Sequence, residues 1–506
     1  MQLYHERFGH QDKRHVKMLL EREMNIKIPA VKEICEPCIF GKAHRKPFGS
    51  RKKATSDKGI CTDNPEAHTL HGMPVDAMDP TATYKYLGLY QNITLDHSQI
   101  RKQLIQKYQQ RVSAILKSHL HAKNMFQALN TYAIPLLSYS FGVIKWPDTD
   151  LQAANRLART QLTKYRKMHP KSCKERVNLK REDGGRGLRD VGDLNHSQVV
   201  RLRKYFRDKN HPLHRAVVKA DRGYTPLNLA TCHEPENMYT AELKREQWVS
   251  KPLHGKHPAN VDKPGIDKQL SYSWLKQGNL FPETEGFCLA IQDQVTATRN
   301  YQKFIIKDDT IESDSCRKCH LARETIEHIT GGCRLLAATE YTERHNTVAK
   351  VIHLQIAKKY HLPVEEVPYF KYNPQSVQEN AERKLYWDRA ILTDHTVPAN
   401  RPDITLIHKV SKQTFLIDVA IPNDANVTEK YQEKIGKYTP LATEIKEIWE
   451  QRKVVIVPIV LSATGITPTS FISGLKTLEI PLKVHAECQK AVILKTCNIV
   501  RMFLNG

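Results

Sequence analysis

Two kinds of residue grouping in this 506-residue chain could do chemistry. The first is sulfur and imidazole donors at ligand-like spacing. His5 and His10 with Cys35 and Cys38 follow H-x4-H then C-x2-C, and Cys316, Cys319, His328 and Cys333 follow C-x2-C-x8-H-x4-C. Mixed thiolate and imidazole sets suit tetrahedral zinc, and a C-x2-C step lets one turn present both sulfurs to the same ion. One structural zinc is therefore expected at each set. Gly331 and Gly332 permit a sharp turn before the last cysteine, and His320 is a bystander or a substitute ligand. Cys61, Cys173, Cys232, Cys288, Cys488 and Cys497 have no partner spacing.

The second grouping is carboxylates with lysine. RPDITLIHKVSKQTFLIDVAIP, from residue 401, reads as two apolar strands around a polar HKVSKQT turn. A hairpin centred between Val410 and Ser411 sets Asp403 opposite Asp418, with Cβ atoms about 4.5–5.5 Å apart on one face. Carboxylates so close repel unless a divalent cation, Mg²⁺ or Mn²⁺, lies between them. Asp418 stands among Leu416, Ile417, Val419 and Ala420, a costly setting for an unpaired charge. A helix from about Val427 has an inward seam of Val427, Tyr431, Ile435 and Tyr438, and Lys430, Lys434 and Lys437 follow one edge of it. Lysine beside a metal-bound phosphate can orient an attacking water and offset developing charge. Upstream, Glu379 and Glu382 read as helical with Ala381, Leu385 and Ala390, and Glu379 is an additional candidate carboxylate. Val454 to Leu461 would extend the sheet.

The elements that must hold these groups are written in composition and period. With 40% hydrophobic and 26% charged residues the chain is foldable, neither a disordered basic tail nor a membrane protein. Its longest apolar run, Val454 to Leu461, is too short to span a bilayer. MQLYHERFGH lacks the apolar stretch of a secretory signal, so an intracellular protein with reduced cysteines is expected. The net charge of +24 is localised: residues 1–53 carry 13 basic and 6 acidic side chains, and residues 101–210 carry 24 and 8. Charge concentrated in this way on foldable sequence points to a polyanion partner.

In the second basic stretch, Ile100, Leu104, Tyr108, Val112 and Ile115 recur at helical steps. Thr149 with Gln152 matches a capping box before Leu151, Ala154, Leu157, Ala158, Leu162 and Tyr165. Arg156, Arg159, Lys164, Arg166 and Lys167 fall on the polar side of that helix. Pro135 is expected to stop a shorter helix, and Gly184, Gly185 and Gly187 to form a tight turn.

Three resemblances follow. LYHERFGHQDKRHVKMLL with CEPCIFGKAHRKPFGSR resembles the gag-pre-integrase zinc module of Copia-type LTR retrotransposons, over the first tenth of the chain. No integrase core follows it. YKYLG at 84–88, NTYAIPLLSYSFGVIKW at 130–146 and EDGGRGLRDV at 182–191 resemble the thumb-like region of the reverse transcriptase of site-specific non-LTR retrotransposons. PD, fourteen residues, D and a displaced lysine resemble the restriction-enzyme-like endonuclease of the same elements, a PD-(D/E)xK fold. Ala420 occupies the usual strand-lysine position, so the resemblance implies Lys434, or else Lys437, as its replacement. No aromatic-Ala-Asp-Asp palm motif occurs, which excludes competence as a polymerase.

Together these readings give a multidomain α+β chain, a chimera joined near Lys53 and Ala54. The expected parts are a zinc module (1–53), a junction (54–83), a basic helical thumb-like region (84–210), a linker region (211–310), a CCHC zinc knuckle (311–345) and an α/β PD-(D/E)xK nuclease-like domain (375–485). The resemblance implies DNA and a retroelement RNA or RNA–DNA duplex as partners, no membrane, and a nuclear location or a cytoplasmic one as a ribonucleoprotein. The expected function is a nucleic-acid-binding protein with a metal-dependent DNA endonuclease domain. The alternative is a catalytically inactive remnant that only binds nucleic acid; a thumb without its palm would leave apolar surface exposed.

Overall fold

The computed structural model describes residues 84–86, 89–91, 95–231 and 241–505. The chain divides into two contact units, residues 1–95 and 96–506. In the first, strands β1 (Tyr84–Tyr86) and β2 (Leu89–Gln91) form an antiparallel hairpin. His5, His10, Cys35 and Cys38, with the 54–83 junction, lie outside the described residues.

The second unit begins with helix α1 (His97–Leu116), started by Asp96, whose carboxylate accepts the Gln99 N–H. Ile100, Leu104, Tyr108 and Val112 are buried along it as the period requires, and the stripe ends on Leu116, with Ile115 only half-buried. Helix α2 (Asp148–Lys164) starts two residues earlier than a Thr149 cap would allow. Pro147 precedes it, and Asp148 and Asp150 in the first turn favour the positive helix end instead. Pro135 does not end the helical path: a π turn over Leu129–Ala133 re-enters a short helix, Pro135–Ser138, in which proline sits at the first position and needs no N–H partner. Helix α3 (Val191–Asp208) is capped by Asp190, which accepts the Gly192 and Asp193 N–H groups.

The described residues between 241 and 310 are packed rather than forming a linker. The stretch 252–265 contains a helix, Lys256–Val261, with His257, Pro258 and Val261 buried, and helix α4 (Pro282–Gln292) buries eight of its eleven residues. Trp248, Tyr272, Trp274 and Leu289 share one core with Cys316, Ile329, Cys333, Cys497 and Phe503. Residues on both sides of 211–310 are thus packed into one unit.

Helix α5 (Thr342–Lys359) leads to a five-stranded mixed sheet, ordered β3 (Val377–Glu379), β4 (Arg383–Trp387), β5 (Ile404–His408), β6 (Gln413–Ala420), β7 (Lys453–Val460). All neighbours are antiparallel except β6 with β7. Residues 414–420 are all buried because both faces of β6 are covered. Phe415, Ile417 and Val419 pack with α5 and with helix α7 (Val484–Asn505). Leu416, of the opposite parity, packs with Tyr438, Leu441 and Ile445 of helix α6 (Val427–Ile448). β7 extends the sheet as expected, and Pro458 is tolerated there because β7 is an edge strand. Glu379 lies on β3, not on a helix.

Candidate nuclease-like and metal centres

The β5–β6 hairpin has the expected register: Ile404 pairs with Ile417 and His408 with Gln413, so the next step outward sets Asp403 opposite Asp418. Asp403 Oδ2 accepts the Val419 N–H at 2.6 Å, which fixes the carboxylate at the sheet end. Asp418 shares the parity of Leu416 and Ala420 and so faces α6; it is 2% exposed. Lys434 Nζ lies 2.6 Å from Asp418 Oδ2, and Tyr438 OH donates to Oδ1 at 2.6 Å. The lysine contact is close in distance but outside hydrogen-bonding angles, so Oδ2 is buried without a hydrogen-bond donor. Burial, then the Asp418 charge, pushes the Tyr438 hydroxyl far above its ordinary pKa, so it stays a donor.

Lys437 is one residue removed from the carboxylates: its ammonium donates to Tyr438 OH at 3.1 Å and covers that ring. Lys430 pairs with Glu433 on the surface. Glu379 is at the other end of the sheet, paired with Lys384 and Lys409 near the hairpin turn. Asp403, Asp418 and Lys434 are therefore brought together, Lys437 stands behind them, and Glu379 is apart.

His345 was not foreseen. It lies in the first turn of α5 and reaches Asp403 Oδ2 and Val419 O, both at 3.0 Å, through Nε2, while Nδ1 faces Asn346 Oδ1 at 3.0 Å. Burial lowers its pKa, but the Asp403 hydrogen bond and the charges of Asp403 and Asp418 more than offset this and raise it to about 9. The signal was present, since His345 continues the buried stripe Val348, Ala349, Ile352 and Ile356 at helical steps.

Each carboxylate lies against a basic side chain, Asp418 Oδ2 at 2.6 Å from Lys434 Nζ and Asp403 Oδ2 at 3.0 Å from His345 Nε2. Among the described residues, no third His, Cys, Asp or Glu completes a ligand cluster there.

The second Cys/His set does converge. Donor atoms of Cys316, Cys319, His328 and Cys333 all lie within 4.8 Å of one another, and Cys319 Sγ is 3.3 Å from His328 Nε2. A short turn presents the first two: Cys316 N–H donates to Ala322 O, and His320, at φ 55°, reverses the chain and points to exposed surface rather than joining the cluster. Buried Glu324 accepts from Arg317 and from the Arg299 N–H, bracing that turn. A π turn, His328–Gly332, delivers the other two ligands, and Tyr341 OH accepts the Cys333 N–H at 3.2 Å. Neither Gly331 nor Gly332 has positive φ. Their need is space: a Cβ on Gly331 would lie 2.8 Å from Asn423 Oδ1, and one on Gly332 3.3 Å from His328 Nδ1. Burial, with thiols alongside, pushes Cys333 up to about 11. Three crowded thiols and an imidazole are the donor set zinc neutralises.

The basic helices are less free than their count suggested. Lys167, Arg176 and Arg186 are buried, paired with Glu283, Asp293 and Glu285, and Arg181 shares Glu285. These acids come from residues 283–293, a stretch that segment counting left neutral. The Gly184–Gly187 turn forms, with φ of 86° and 76° at its two ends, and it serves to bury Arg186 over Phe126. Arg156, Arg159 and Arg189 remain without ion-pair partners among the described residues, around a cleft of about 870 Å³ between α2 and α3. Tyr132, Tyr139 and Val143 are exposed on the same module. Among the described residues no helix is long and apolar enough to cross a membrane. No protein-family model and no curated protein matches the chain.

Proposed function

We propose that this chain is a retrotransposon-derived nucleic-acid-binding protein whose C-terminal region is a metal-dependent DNA endonuclease. The observation that carries the reading is the convergence of Asp403, Asp418 and Lys434 at one end of the mixed sheet. Asp403 and Asp418 would hold Mg²⁺ or Mn²⁺, which when bound supplies Lewis acidity and an activated water. Tyr438 holds the Asp418 carboxylate in place, and Lys434 is poised to orient a water and offset charge on the phosphate. His345 steadies Asp403 from the opposite face of the sheet. The free arginines of the α2–α3 cleft would hold a nucleic-acid backbone, a mode that gives affinity without sequence information. Zinc at the Cys316 cluster would be structural, and a second zinc at His5, His10, Cys35 and Cys38 belongs to the same proposal.

A second reading, a non-catalytic nucleic-acid-binding remnant, is favoured by one feature. Each carboxylate already has its own cation, Asp403 with His345 and Asp418 with Lys434. Nicking of supercoiled plasmid with Mg²⁺, compared between the natural chain and Asp418→Ala, separates the two. Activity in the natural chain alone supports the nuclease; equal background nicking by both leaves the binding protein.

A further inference from the structure

The loop between the Asp418 strand and the Lys434 helix is held from three directions by distant segments. Asn423 Nδ2 donates to Glu327 O at 3.0 Å, and its Oδ1 lies 3.0 Å from Thr330 Oγ1, whose one proton it shares with Ile326 O at 2.8 Å. Thr330 lies in the turn that delivers His328 and Cys333 to the metal cluster and Glu327 directly precedes it, and Gly331 leaves no room for a side chain against Asn423. The adjacent Asp424 accepts from Thr464 Oγ1 at 2.7 Å and meets His257 Nδ1 at 3.1 Å. Pro422 O accepts the Ala463 N–H at 2.8 Å. Ala420, the last residue of β6, immediately precedes this loop, which ends where α6 begins at Val427.

A surface loop tied only to itself would let α6 slide relative to β6. This one is referenced to the metal turn on one side and to the end of β7 on the other. Lys434 lies two turns into α6, so a shift at the loop changes its distance to Asp418 directly.

We propose that residues 421–426 are a positioning hinge through which the Cys316–Cys333 metal cluster sets the Asp418–Lys434 geometry, with Asn423 as the positioning residue. The catalytic consequence rests on the endonuclease reading; the mechanical coupling does not. When the metal is lost, the turn 328–332 loosens, Asn423 loses both partners, and α6 is no longer indexed to the strand.

Amide hydrogen exchange of the full chain tests this, with zinc bound, after chelation, and in Asn423→Ala, Thr330→Val and Thr330→Ser with zinc bound. Chelation and Asn423→Ala should each speed exchange across residues 421–430 about tenfold, as loss of one or two hydrogen bonds implies. Thr330→Val should do so more weakly, and Thr330→Ser, which keeps the hydroxyl, should restore protection. Zinc content of Asn423→Ala should stay at the natural level, which separates hinge release from loss of the cluster. Unchanged exchange in zinc-loaded Asn423→Ala would overturn the proposal, as would Thr330→Ser exchanging like Thr330→Val. In plasmid nicking, Asn423→Ala should lower the maximal rate while the Mg²⁺ needed for half-maximal rate changes little. Release of the amides with no nicking by any form would leave the hinge standing and defeat the nuclease reading alone.

Discussion

Replacing Lys434 with methionine, which keeps most of the volume and removes the charge, isolates the contribution of its pair with Asp418. The carboxylate is 2% exposed and Lys434 is its cation, so the variant leaves a buried charge with one donor, Tyr438 OH. Breaking a buried pair by removing one partner costs about 3–5 kcal/mol. The surviving tyrosine bond places this case at about 3 kcal/mol, the lower end of that range. The assay is urea unfolding in a double-mutant cycle of Lys434→Met, Asp418→Asn and the double variant, each with EDTA and with Mg²⁺. The double variant should recover most of the loss, since neither charge is then left unpaired. Mg²⁺ should stabilise Lys434→Met more than the natural chain, because a cation between the carboxylates replaces the missing ammonium. A loss below about 1 kcal/mol in Lys434→Met, the level of an exposed ion pair, would refute the reasoning. So would a double variant no more stable than Lys434→Met.

Further outcomes are expected. His345 has a folded pKa raised from 6.5 to about 9, so its contribution is full below pH 6.5 and is lost as pH rises towards 9; His345→Gln should flatten the pH dependence of stability across that window in urea titrations. Elemental analysis should give one zinc fewer in Cys333→Ser than in the natural chain, and an unchanged ratio would exclude the cluster as a zinc site. Substituting Arg156, Arg159 and Arg189 together with glutamine should reduce the salt slope of DNA binding by about 0.9 per lost phosphate contact. Arg186→Gln, at a buried pair, should destabilise the unit without altering that slope. A fragment of residues 311–506 should fail to fold cooperatively, because Ile329, Cys497 and Phe503 share their core with Trp248, Tyr272 and Leu289; a compact monomer on gel filtration would contradict this.

What could be read from sequence follows the range of the interaction. The β5–β6 register came from one turn and a two-residue period, so the Asp403–Asp418 apposition was legible. Lys434 followed from helical steps after it, and the Cys316 cluster from spacing within eighteen residues. The helix assigned to Glu379 failed because short apolar runs fit either period, and pairing with β4 decided for a strand. The capping box at Thr149 lost to acids one residue away, a choice worth a fraction of a kcal/mol, about 0.3–1. The linker assigned to 211–310 failed for a different reason. Its prolines and charges look like a connector locally, but Glu283, Glu285 and Asp293 are the partners of buried cations 99 to 117 residues earlier. The inward position of His345 is legible as part of a helical stripe, but its partner Asp403 and the contacts of Asn423 depend on how α5 and the metal turn dock on the sheet, which local sequence does not encode.

Helix α7 gives the unit an order of assembly. It lines the core shared with residues 173–291 through Ile493, Cys497, Val500 and Phe503, and the sheet core through Val484, Cys488 and Val492. The sheet core cannot close before Val492 has been synthesised, nor the other before Phe503. Cys173 and Leu179, made hundreds of residues earlier, wait on the ribosome with this side of their core uncovered, and contacts this distant in sequence close slowly. Chaperone dependence during synthesis, and sensitivity to lesions near residue 490 far out of proportion to their distance from Asp418, are consequences of that placement.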